Sequence, residues 1–195
     1  MTATFTASLG GNALTNASNP VTVTPVWSVQ AGGGTIDSAS GVFTAGVLAG
    51  TFTNTIQATA GGITSTATVV VRAGATTLVT IHPQSTTLAP GGTQAFTAST
   101  SDSHGNATNT AVVFSMATAS AGSITGQGAF TAGSTPGTYP GAVVATSAGV
   151  QGTADVTINQ AALSQLTVAP ATVQVRAGAS VGFVATGADA FGNPV

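Results

Sequence analysis

The sequence predicts an all-β chain of tandem sandwich modules, and three observations carry that prediction. The phrase GVFTAG at residues 41–46 returns as GAFTAG at 128–133, 87 positions on. Short segments alternate apolar and polar residues with period 2 and end at Gly, Asn, Ser or Pro. Thr and Val, which suit a pleated half-buried surface, dominate, while good helix formers are sparse and no stretch supports a helix of even three turns.

The offset of 87 extends well beyond the opening phrase and reads as one ungapped register. Trp27 meets Phe114, Phe52 meets Tyr139, Val71 meets Ile158, Pro83 meets Pro170, and Phe96 meets Phe183. Gly105-Asn106 meets Gly192-Asn193, and NPV at 19–21 returns at 193–195. The expected modules are residues 1–73, lacking an opening strand; 76–160, complete; and 163–195, holding the first strands of a third. Framed this way, the sequence starts and stops in mid-module. Two explanations stay open: the tail strand inserts into the first module of a neighbouring subunit, or the residues are a window on a longer array. A duplicated second strand at 4–9 and 180–186 counts against a clean exchange.

The elements follow in order within a module. ATVQVRAG alternates Val173 and Val175 with Gln174 and Arg176, and TQAFTAS sets Phe96 with Ala98 on one face. VTPVWSV, GTIDSASGVFTAG, TIQATA and ITSTATVVV come next, each bounded by turn residues. About seven short strands in one repeat is the number an immunoglobulin-like β-sandwich requires. That fold assigns the large residues to cores: Trp27 and Phe114 on the third strand, Phe43 and Phe130 as plugs between two glycines, with Phe96 and Phe183. Phe52 and Tyr139 open the sixth strand, where a tyrosine corner can form.

Composition excludes several classes of function. The 195 residues carry two Lys plus Arg and four Asp plus Glu, 3% charged with a net charge of −2, against about 25% charged in ordinary chains. No basic surface exists for nucleic acid or for an anionic membrane. Cysteine is absent, removing disulfides and thiolate chemistry. No apolar run is long enough for a membrane-spanning helix, and MTATFTASLGG does not read as a signal peptide. With 43% apolar residues in patterned segments, the chain reads as ordered, its surface wetted by Thr, Ser, Asn, Gln and backbone.

The phrases LTVAPATVQVRAG, FTAS or FVAT, DSHGN or DAFGNPV, VTPVWSV, GGGTID, GVFTAG, GTFTNTIQATAGG and TATVVV resemble bacterial immunoglobulin-like (Big-type) repeat domains of large surface and secreted proteins, such as invasin- and intimin-like adhesins. The resemblance covers essentially the whole chain. It implies an extracellular or cell-surface location and a mostly structural role as stalk, spacer, filament unit or virion decoration, with occasional binding tips. The first module departs at LGGNALTNASNPV, which lacks the Asp of the D-x-x-G-N turn.

Candidate sites are few. Asp102, His104 and Asn106 cluster in SDSHGN, but one carboxylate is a poor ligand set for a hard cation, and DAFGN replaces His104 with Phe191. The motif Asp102, Gly105, Asn106 and its counterpart Asp189, Gly192, Asn193 therefore reads as a turn in which Asp or Asn accepts from backbone amides. His82 precedes Pro83 at a strand end without a carboxylate nearby in sequence. An acid pair for hydrolysis would have to come from Asp37, Asp102, Asp155 and Asp189, and no pair recurs in both modules. No catalytic residue, cofactor or metal is expected. Lacking Lys, the chain cannot form Lys–Asn crosslinks, and its scarce carboxylates do not suit calcium-stiffened junctions. NAS at 16–18 and NAT at 106–108 match the N-glycosylation pattern.

Two functions follow. A stalk, sheath or filament would have copies of the chain or neighbouring repeats as partners, because uncharged surfaces pack together without desolvated ions. An adhesin or carbohydrate-binding module needs exposed aromatic residues, for which Phe191 is the best candidate. Trp27→Ala is expected to cost about 3–5 kcal/mol and unfold its module, while Phe191→Ala leaves folding and scaffold function unchanged; circular dichroism during denaturation checks both.

Overall fold

A computed structural model describes residues 2–4 and 24–195. The expected strand at 4–9, the departure at 9–21 and the NAS pattern at 16–18 lie at least in part outside these residues. The described residues are all-β, with one short 3₁₀ turn among them at Ala119–Ala121. The chain forms two compact units, one of residues up to Ala75 together with Asp102–Thr108, the other of Thr76–Ser101 with Asn109–Val195.

In the first unit, β1 (Thr2–Thr4), β3 (Gly34–Ile36) and β4 (Val42–Ala45) form one sheet in the order β1-β4-β3. A second sheet, β2-β5-β6, comprises β2 (Val26–Val29), β5 (Gly50–Ala60) and β6 (Ile63–Val71). Trp27, Phe43 and Ile56 form the buried cluster of this unit, drawing on both sheets, while Phe52 is half-buried.

The second unit begins with β7 (Leu78–His82), β8 (Ser85–Leu88), β9 (Thr93–Ala95) and β10 (Thr97–Ser101). It continues with β11 (Val113–Met116), β12 (Gly122–Ile124), β13 (Ala129–Ala132), β14 (Gly137–Ser147) and β15 (Val150–Ile158). Four strands make the sheet β11-β14-β15-β8, in which β8 runs parallel to β15. The others form β10-β7 and β12-β13-β9. One apolar cluster takes Phe114, Val143, Ala145, Ala154 and Val156 from the first sheet, Val79 and Ile81 from β7, and Phe130 from β13. Phe96 joins it where the chain passes from β9 to β10 and so from one sheet to another. There the Phe96 N–H donates to the Gly128 carbonyl, and the Phe96 and Phe130 rings meet edge to face at 5.9 Å. Gly128 has φ +94°, and a Cβ on it would collide with the Phe96 carbonyl, which explains the glycine ahead of Phe130.

The remaining strands, β16 (Leu163–Ala169) and β17 (Val184–Asp189), pair as a two-stranded antiparallel sheet. Phe183, expected in a core, is 55% exposed among the described residues.

Most strands recur at a spacing of 87, as β5 and β14 do, but the register is not ungapped. Gly34 and Gly122 are 88 apart and fill the same place, each too close to a carbonyl, of Thr44 or Thr131, to carry a Cβ. Thr2 and Thr93 are 91 apart, yet they pair with the corresponding residues Thr44 and Thr131. Turns absorb the extra residues, which a single offset in sequence conceals.

The long hairpins carry matching irregularities. A bulge follows Phe52 in one and Tyr139 in the other, with positive φ at Asn54 and Gly141. The freed N–H of Asn54 donates to Thr68 Oγ1, and that of Gly141 to Asp155 Oδ1. Asp155, expected to face solvent, is exposed but engaged in this bond. The Tyr139 hydroxyl donates to the Thr135 carbonyl at 2.9 Å, the bond of a tyrosine corner, which Phe52 cannot make. Both hairpins close through two residues of positive φ, Gly61-Gly62 and Ala148-Gly149. Ala148→Gly is expected to stabilise the second unit by about 1 kcal/mol by relieving the left-handed alanine, read as a higher midpoint of chemical denaturation with an unchanged slope.

Candidate functional site

The two D-x-x-G-N turns lie where a strand ends and its backbone leaves the ladder. After β10, the Asp102 N–H donates to the Asn106 carbonyl, and the Gly105 N–H donates to the Asp102 carbonyl. Asp102 Oδ1 accepts from the backbone N–H groups of His104 and Asn106, each at 2.9 Å. Its Oδ2 accepts from the Gly74 N–H and from the Asn106 side-chain amide, each at 2.8 Å. The carboxylate is thus ringed by four N–H donors, an arrangement that favours a negative charge and repels a cation. Among the described residues no group of three or more His, Cys, Asp or Glu is placed to hold a metal ion.

Asn106 faces two ways. Its Nδ2 also donates to the Val47 carbonyl, and its Oδ1 accepts from the Ala49 N–H, both at 2.8 Å. An amide can do this because it carries donor and acceptor on one planar group. The turn is thereby tied to the loop between β4 and β5. Although residues 102–108 follow directly on β10 of the second unit, they belong to the first.

The same joint recurs after β17. Asp189 Oδ1 accepts from the N–H groups of Phe191 and Asn193, and Oδ2 from the Asn193 side chain. Asn193 Nδ2 donates to the Ser134 carbonyl at 2.8 Å, and both amide-to-carbonyl contacts span 59 residues. The second joint differs at one place. The counterpart of Ala49 is Pro136, which has no N–H to offer. Asp102 and Asp189 are both buried in the folded chain.

The carboxyl of Asp102 is held well below the usual range, first by the Asn106 side chain and then by the Gly74 N–H, against burial, which raises it. Asp189 is lowered too, chiefly by the Asn193 side chain. Asp37, exposed in the turn between β3 and β4, is lowered by the Ser40 hydroxyl, then by the N–H groups of Ser40 and Ala39. With Asp155 at its bulge, every carboxylate side chain accepts bonds from the chain's own backbone. His104 is exposed with Nδ1 3.3 Å from the Ser103 hydroxyl, and His82 is exposed at the end of β7. The structure does not gather these residues into one place.

Sequence reading missed the receiving half of each joint, since Val47 and Ser134 act through carbonyls and share no side-chain signal. It also missed a hydroxyl cluster in the second unit, where Thr110 Oγ1 lies 2.9 Å from Thr76 Oγ1 and 2.7 Å from Ser147 Oγ, with Thr76 and Ser147 buried.

No protein-family description matches the chain, and no curated protein matches its sequence. Among solved structures, domains 1–6 of the surface-layer protein SbsC match with a TM-score of 0.39 and 15% identity. A crystal structure of the S-layer protein rSbsC(31-844) gives 0.39 and 16%. Each of these two matches covers 88% of this chain, and the chain spans 24% of either structure. Domains 5–6 of the same protein match at 0.37 and 14% identity over 62% of this chain and 65% of that one. Among the described residues no helix is long and apolar enough to cross a membrane.

Asn106→Ala is expected to cost about 1–2 kcal/mol and to abolish hydrogen-exchange protection at the Ala49 amide. Asn193→Ala costs less, because Pro136 supplies no matching bond. Asp102 has a depressed pKa in the folded chain, so its contribution is fully present above the unfolded value of about 3.9 and is lost as pH falls through the lower folded value. Amide resonances of Gly74 and Asn106 should therefore hold from neutral pH to about 4 and shift only in stronger acid.

Proposed function

We propose that the chain is a non-catalytic structural repeat protein of the extracellular space or cell surface. Its immunoglobulin-like modules form a stalk, sheath or filament by stacking or strand exchange. The observation that carries this reading is the joint made twice by the same chemistry, Asp102 with Asn106 and Asp189 with Asn193, each reaching a carbonyl 59 residues back. The same turn-to-loop tie, made inside each compact unit, is what a scaffold built from repeated modules requires.

Sheet order supports the immunoglobulin-like assignment. The set β11-β14-β15-β8, with β8 parallel to β15, shares one core with β7, β10, β12 and β13, and the Tyr139 corner sits at the start of β14. The modules are residues 1–73, 76–160 and the opening of a third at 163–195. The engagement of all four carboxylates in turns and bulges accords with a scaffold.

A second reading, an adhesin or carbohydrate-binding surface, draws on Phe191, which is 52% exposed at the tip of the second joint. Thermal melting with and without a panel of glycans separates the two. For a scaffold, glycans leave the melting temperature unchanged, while Asn106→Ala lowers it whether or not they are present. A glycan-dependent shift abolished by Phe191→Ala would favour the binding module instead.

A further inference from the structure

Every side chain of this protein that can carry a charge as Asp, Glu, His, Lys or Arg lies on a described residue, because residues 1 and 5–23 contain none of these types. Among the described residues the buried polar side chains are Thr55, Thr76, Thr100, Ser147, Asp102 and Asp189. Four of the six are hydroxyls, with no charge to gain or lose. Thr55 Oγ1 donates to the Gly32 carbonyl and accepts from the Ala31 N–H, and Ser147 Oγ lies 2.7 Å from Thr110 Oγ1. No cationic side chain is among them, so Asp102 and Asp189 are the only buried groups here whose charge can change.

Both are held by N–H donors rather than by a cation. Asp102 accepts from the backbone N–H groups of His104, Asn106 and Gly74, and Asp189 from those of Phe191 and Asn193. Such bonds act at contact distance, where dissolved salt does not screen them as it screens separated surface charges. Arg72 and Arg176 are exposed, and so are His82 and His104, where a bound proton is met by water. Asp37 and Asp155 are exposed as well, bonded to the N–H groups of Ser40 and Gly141. With two Arg, two His and no Lys, protonating every carboxylate leaves no more than four positive side chains in 195 residues. Self-repulsion, which loosens highly charged proteins in acid, has almost nothing to act on.

We infer that the fold of this chain is uncoupled from the ionic composition of its medium, with a stability that is constant from mild acid to mild alkali and from low to physiological salt. A surface made of such a chain keeps its shape where pH and salinity vary. The response to stronger acid is concentrated in Asp102 and Asp189. The pKa of each is lowered in the folded chain, so its contribution is complete above the unfolded value of about 3.9 and declines as pH falls below it. Asp37 is lowered too, but its bonds lie in an exposed turn and add less. The inference rests on burial and bonding within each unit, and it holds for a scaffold and for a binding module alike.

Urea denaturation of the full chain, followed by circular dichroism over a grid of pH and sodium chloride, tests it. The pH range runs from about 4 to about 9. Salt runs from about 0.01 to about 0.15 M, over which the screening length falls from about 30 to about 8 Å. Across both ranges the midpoint of each transition is expected to stay within about a tenth of its value. Below pH about 4 the midpoints fall. Asp102→Asn combined with Asp189→Asn lowers the midpoints at neutral pH and removes most of that fall. A midpoint that moves by more than a tenth within the stated pH or salt range overturns the inference. So does a fall in acid that is undiminished in the double variant, which places the response on other groups. Should that variant not fold, Asp37→Asn combined with Asp155→Asn takes its place: most of the acid-induced fall is expected to survive, and its disappearance overturns the assignment.

Discussion

Backbone N–H groups that leave the ladders at turns and bulges must find acceptors, and this chain commits its few strong acceptors to them. Asp102 and Asp189 close the two joints, Asp37 closes the turn before β4, and Asp155 takes the N–H freed by the bulge at Gly141. Because a carboxylate accepts through two oxygens and several lone pairs, one Asp can fix a whole turn. With so little charge, all four side-chain carboxylates of the chain are engaged in this way. The substitution of Thr68 for Asp155 at the equivalent bulge shows that the requirement is for an oxygen at that place rather than for a charge.

Asp and Asn divide the labour at the joints. The carboxylate organises its own turn, and the amide carries that order outward to a distant carbonyl. Losing the amide frees the turn from the loop it grips, whereas losing the carboxylate undoes the turn itself. The lowered pKa of Asp102 and Asp189 is the electrostatic counterpart of this geometry, since N–H dipoles converge on a charge that has left bulk water.

Much of the all-β architecture was legible in the sequence, because alternation and turn residues act locally and leave their period in the string. The GAFTAG phrase is a local device of that kind: Gly128 lets the chain approach Phe96, and Phe130 enters the core beside it. Phe183 was misleading for the opposite reason. Its neighbours in sequence resemble those of Phe96, but burial depends on strands far along the chain, and among the described residues it is 55% exposed. The single offset of 87 failed at Gly122 and Thr93 because a turn can gain or lose residues without disturbing the strands it joins. The receiving carbonyls of Val47 and Ser134 were invisible, since backbone groups have no letter of their own.

That last point has a consequence for how such a chain can change. Val47 and Ser134 occupy the same place in successive repeats, differ completely in chemistry, and receive the same bond. A coupling read by the backbone alone is blind to the side chain projecting from it. The loop between β4 and β5 is thus free to vary its outward face to suit whatever it meets, while the tie that holds the turn to it is left as it was.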